Sequence, residues 1–117
     1  MHALATHPNF SVYAAAKGGI VSMIRGLALE FAADGIRVNT VLLGMSISKD
    51  FQIRLEAMTQ PERQDALKKA VYNTPLGVVG FPKVIGYPVV FLASEKASFM
   101  TGAIVPIDRG ETIHLDW

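Results

Sequence analysis

A chain of 117 residues with a formal net charge of +1 is one domain at most, or a piece of one, and it lacks the clustered Lys and Arg that a nucleic-acid partner demands. With no cysteine, neither a disulfide framework nor a thiolate metal site is available; the three histidines, His2, His7 and His114, show no metal spacing and read as surface or loop residues. Half of the residues are hydrophobic and only 18% are charged, which predicts helices buried on two faces or a chain that meets partners.

Residues 1–9 read as irregular and lack the basic segment followed by an apolar one that marks a secretory signal. Asn9 or Ser11 is placed to cap a helix running to about Ala33. Near its start Tyr13 and Lys17 stand four apart, on one face, with Cβ atoms about 5 to 6 Å from each other. At an effective dielectric of about 20, a cation at that distance favours a phenolate by on the order of 3 kcal/mol, which draws Tyr13 towards general acid/base work. The same spacing also fits a solvated helix edge with an aromatic at its border. Ala14, Ala15, Ala16, Gly18 and Gly19 leave the surface beside the pair thin, open to a large ligand or to close helix packing.

Ile20, Met23, Ile24, Leu27 and Phe31 form one stripe at helical spacing, and Val21, Ala28 and Ala32 keep a second face apolar, so the helix is expected to be buried on both sides. Its most apolar run, Ile20 to Ala33, contains Arg25 and Glu30 and reads as too short to span a bilayer. The expectation is a soluble, cytoplasmic chain with no membrane partner. Asp34-Gly35 supplies a helix stop, and Ile36 to Leu43 reads as a strand of the type buried in a parallel sheet.

The loop from Gly44 to Ser48 follows the carboxyl end of that strand, where open α/β sheets bind ligands. Helical sequence follows over Lys49 to Met58. Thr59 to Glu62 then fits a capping box, with Pro61 in the first turn, opening a charged segment to about Val71 that suits a mobile lid or a plain surface helix equally. Asn73 to Phe81 reads as a loop. Pro82 starts a helix ending near Ser94, which Pro88 should kink or shorten. Ala103 to Ile107 is a last strand, placed at an edge by Pro106, before Asp108-Arg109-Gly110 and a tail.

Taken in order, these stretches resemble the C-terminal half of a short-chain dehydrogenase/reductase. Tyr13-Ala-Ala-Ala-Lys17 is similar to the family's Tyr-x-x-x-Lys motif, and Leu27-Ala-Leu-Glu30 with Gly35-Ile-Arg-Val-Asn39 resembles its continuation. Leu43 to Ser48 stands where the family has Pro-Gly-x-Ile-x-Thr; Phe91-Leu-Ala-Ser94 and Phe99-Met-Thr-Gly102 resemble the closing helix and turn. The resemblance implies an α/β fold, the C-terminal part of a doubly wound Rossmann-type parallel sheet, with residues 1–117 an incomplete portion of one domain. It implies hydride transfer between NAD or NADP and a small-molecule carbonyl or alcohol, with no metal. Tyr13 and Lys17 would be the catalytic pair, and Tyr13, Lys17, Gly44, Ser46 and Ser48 would contact the cofactor.

Leu43 replaces the family's usual proline, and Arg109 a glycine. The family's glycine-rich turn and active-site asparagine have no equivalent here, and its catalytic serine would fall immediately before Met1. The chain alone is therefore expected to be inactive and prone to associate, as a homo-oligomer through its long helices. The alternative is a non-catalytic product that acts only by pairing with itself or with a full-length homologue.

Overall fold

The computed structural model describes residues 2–72 and 74–114. Helix α1 (Ser11–Glu30) and a 3-10 turn (Ala32–Asp34) lead to strand β1 (Thr40–Leu43); helices α2 (Lys49–Glu56), α3 (Gln60–Val71) and α4 (Pro82–Ala93), then a second 3-10 turn (Glu95–Ala97), precede strand β2 (Ile104–Ile107). The two strands pair in parallel, Thr40 opposite Ile104 and Leu43 opposite Ile107. Thr40 N donates to Ala103 O at 2.9 Å and Gly44 N to Ile107 O at 3.1 Å. Residues alternate in the direction of their backbone groups, so Pro106 turns its missing N–H to the open edge and costs the ladder nothing.

The first strand is half as long as Ile36 to Leu43 suggests, because side chains take the place of a neighbour before it begins. Asn39 Nδ2 donates to Met100 O at 2.9 Å and its Oδ1 accepts from Ala103 N at 3.0 Å, while Val38 N donates to Thr101 Oγ1. Arg37 spreads its guanidinium over the carbonyls of Leu92 (2.8 Å), Ser94 (3.2 Å) and Met100 (3.3 Å), tying the end of α4 to the turn before β2. Charge-assisted bonds of this kind are the stronger class, and they fix where the sheet starts.

Helix α1 begins one residue beyond an N-cap, Phe10, that offers no side-chain bond. Neither Asn9 nor Ser11 caps it: Asn9 lies in the left-handed region at φ 70°, and Ser11 is already inside the first turn. Gly35 takes φ 71° after the 3-10 turn, the stop that Asp34-Gly35 provides. The expected burial of both faces of α1 is not found. Only Val21 and Ala28 are buried along the helix, and Val12 and Leu29 are more than four-fifths exposed. Two strands of four residues are too narrow a platform to cover it.

At twenty residues α1 as a whole is long and apolar enough to cross a membrane by length and composition, a test that the core helix of a globular domain passes as well. Its Tyr13, Lys17 and Val21 nonetheless line a cavity together with β1, the placement of a helix laid across a sheet. Helix α4 runs its full twelve residues through Pro88; the carbonyl deprived of a donor there belongs to the exposed Val84. Thr59 N and Oγ1 both donate to the Glu62 carboxylate, closing the capping box of α3 and holding that carboxyl below its ordinary range. Arg63 Nε donates to Leu55 O at 2.9 Å and so fastens α3 to α2.

The result is open. The radius of gyration is 16.7 Å, against about 13 Å for a compact domain of this length. The accessible surface is 8428 Å², against about 6,200 Å² for a compact monomer of this mass. Large apolar side chains are among those left exposed, including Val84, Tyr87 and Val90 on α4 and the fully exposed Phe99.

Candidate active site

Four-residue spacing on α1 brings Tyr13 and Lys17 together, with Lys17 Nζ 5.3 Å from the centroid of the Tyr13 ring. Both line a cavity of about 300 Å³ whose far wall is β1, Thr40 to Leu43. Among the described residues neither the Tyr13 hydroxyl nor the Lys17 ammonium has a hydrogen-bond or ion-pair partner. Tyr13 is about half exposed. The geometry thus presents a proton donor and a cation, one helical turn apart, to whatever enters the cavity.

His2 is a cavity residue that sequence reasoning passed over as a surface or loop histidine. Its ring stands edge-on to Tyr13 at 5.1 Å between centroids and stacks on Phe10 at 5.2 Å. It lines the cavity with the pair. No periodic signal reaches a residue in an irregular segment, and only the folded turn reveals the contact.

The lining of the cavity stops at Leu43, so Gly44 lies at its end by chain continuity. Ser46 and Ser48 are not brought into it. Ser46 forms an isolated parallel bridge with Gly80, and Ile47 N donates to Gly80 O at 2.7 Å. Ser48 is the N-cap of α2, its Oγ accepting from Phe51 N at 3.2 Å, which leaves its own proton free to donate. Gly44 packs so tightly on the turn after β2 that a Cβ there would stand 2.6 Å from the Asp108 Cα.

Asp108 organises that turn. It is buried, and its carboxylate accepts from Gly110 N and Thr112 N, each at 3.0 Å, and from Thr112 Oγ1. Burial pushes the carboxyl up, but the bonds from Thr112 and Gly110 together outweigh it and hold the carboxyl below its ordinary value. A depressed folded value means that the stabilisation is fully present above about pH 4. It is lost as pH falls through the lowered folded value. Thermal unfolding followed from about pH 6 to about pH 3 is expected to show this loss, and Asp108→Asn should be less stable at the upper end with a shallower decline below it.

The two unpartnered donors suit a hydroxyl-bearing sugar, and the cavity stands at the small end of ligand sites, whose volumes start at about 300 Å³. No glycine-rich turn to a helix N-terminus is present among these residues to receive a pyrophosphate. Among the described residues no group of three His, Asp or Glu side chains is arranged to hold a metal ion.

Residues 1–112 match the family model described as enoyl-(acyl carrier protein) reductase. The chain is 38% identical over 105 residues to the inactive 2-(S)-hydroxypropyl-CoM dehydrogenase 2 of Xanthobacter autotrophicus, covering 90% of this chain and 45% of that protein. It is 34% identical over 114 residues to 3beta-hydroxysteroid dehydrogenase 1 of Eggerthella lenta, covering 97% of this chain and 41% of that one. Among solved structures it superimposes, with a TM-score of 0.82 and 30% identity, on an NADPH-bound short chain oxidoreductase from Pseudomonas aeruginosa PAO1 that contains an atypical catalytic center, over 97% of this chain and 44% of that one. The chain therefore spans less than half the length of each.

Proposed function

Because the chain belongs to the short-chain dehydrogenase/reductase family of oxidoreductases, we propose that it forms the substrate-side portion of an NAD(P)-dependent enzyme acting on a small-molecule carbonyl or alcohol, as part of one Rossmann-like domain. The observation that carries this reading is the free phenol and free ammonium, one turn apart, on the wall of a cavity closed by β1. When bound, the nicotinamide cofactor supplies or takes up the hydride at the substrate carbon. In reduction Tyr13 Oη gives its proton to the carbonyl oxygen, and the Lys17 ammonium stabilises the phenolate that remains; in oxidation the proton returns to Tyr13. Lys17 and Tyr13 would also hold the ribose. In the complete enzyme the Ser46 backbone would take the carboxamide and the Ser48 hydroxyl would donate beside it, although both stand outside the cavity in this chain. We place the enzyme in the cytoplasm as a homo-oligomer.

Titrating NADH and NADPH against the 117-residue chain by fluorescence is expected to show no binding and no turnover. Both should appear when a cofactor-binding half is supplied upstream. A panel of carbonyls and alcohols that leaves reduced-nicotinamide absorbance unchanged in that extended form would overturn the assignment. A second reading, pairing without catalysis, is favoured by the uncovered apolar faces of α1 and α4. A monomer that stays monomeric in sedimentation and unfolds cooperatively would count against pairing.

A further inference from the structure

We infer that the turn Asp108 to Thr112 is a clamp on the loop leaving β1, with Glu111 and Arg109 as positioning residues that hold Met45 from both of its backbone groups. The role of this clamp in the enzyme rests on the proposed reading of the Gly44 loop as the cofactor-side loop. The clamp itself rests on geometry alone.

Met45 N donates to Glu111 Oε1 at 2.7 Å, and Met45 O accepts from Arg109 Nη1 at 3.3 Å. An exposed loop residue ordinarily leaves these groups to water. Here two oppositely charged side chains, two residues apart on one turn, take both. Asp108 gives the turn its shape through Gly110 and Thr112, and Gly44 is pressed against the Asp108 backbone one residue before the gripped position.

Arg109 sits at φ 56°, in the left-handed region where a glycine would be free of strain. Its side chain offsets that strain. The guanidinium lies so close to Gly80 that a Cβ there would be 2.8 Å from Nη2, while Nη1 reaches Met45 O. Gly80 O in turn accepts from Ile47 N. The loop is thereby anchored twice, at Met45 by the turn and at Ile47 by the Gly80 segment, and Arg109 touches both anchors. No proline precedes Gly44 to fix the backbone from within, and the turn supplies the restraint from outside.

Amide hydrogen exchange on the full 117-residue chain, read residue by residue beside thermal unfolding, tests this. Glu111→Ala should speed exchange at Met45 by about tenfold with Ile47 much less affected, and Glu111→Gln, which keeps an acceptor, should recover part of the protection. Arg109→Gly should leave the unfolding temperature equal or higher, because the left-handed strain is relieved, while the loop amides exchange faster. Those opposed signs are what a merely structural arginine would not give. Unchanged Met45 exchange in both Glu111→Ala and Arg109→Gly, or uniform acceleration across all amides with a falling unfolding temperature, would overturn the clamp. In the extended enzyme the clamp predicts a raised cofactor KM for Glu111→Ala with kcat little changed. Faster exchange with an unaltered KM would support the clamp and reject the cofactor role of the loop.

Discussion

Replacing Tyr13 by phenylalanine, in a chain extended upstream with a cofactor-binding half, is expected to lower kcat by about 10²- to 10⁴-fold. The substitution is a clean one here. The ring keeps its edge contacts with His2 at 5.1 Å and Phe10 at 6.2 Å between centroids, and Lys17 remains beside it. Only the hydroxyl is removed, and that hydroxyl carries no hydrogen bond to the described protein that folding would miss. Proton delivery then falls to water, which is not held at the reacting oxygen. Stopped-flow absorbance of reduced nicotinamide measures the effect, and turnover equal to that of the unaltered enzyme would remove Tyr13 from the mechanism.

Gly44→Ala is expected to be the most damaging single change to the sheet, costing about 1–3 kcal/mol. The added methyl would lie 2.6 Å from the Asp108 Cα, 2.8 Å from its Cβ and 3.0 Å from its carbonyl oxygen. Two of these are backbone atoms, and the strand ends cannot part without losing the bond from Gly44 N to Ile107 O. The backbone angle is not at issue, since Gly44 is absent from the positive-φ glycines; the damage is steric. Gly26→Ala is the matched control of opposite sign. Nothing stands within 4 Å of a Cβ at that mid-helix position, and it should gain about 0.5–1 kcal/mol. Urea titration of the two variants beside the parent would expose the contrast, and equal midpoints for both would refute the packing argument.

What the sequence made legible were the rules that act over one or two turns. The i,i+4 pairing of Tyr13 with Lys17, the Thr59–Glu62 box, the proline that opens α4 and the left-handed Gly35 each depend on neighbours in the chain, and the structure contains each of them. The parallel α/β arrangement is present too, as part of the larger fold of its relatives. Features that depend on distant residues were hidden. Strand β1 is shortened by Asn39 reaching across to Met100 and Ala103. The apolar faces of α1 say that something should cover it, but not whether the chain contains it. The grip of Glu111 on Met45 joins residues with no local pattern in common, and His2 meets Tyr13 only because the first turn folds back.

The parallel pairing of β1 with β2 joins positions such as Thr40 and Ile104, with three α-helices between the two strands. A ribosome releases the first of these long before the second. Until β2 emerges, β1 lacks the described strand it pairs with. Contacts of such long sequence separation also close slowly, because the entropy of the intervening loop is lost before any bond repays it. Pairing of β1 with β2 is then expected to trail formation of the three helices that lie between them.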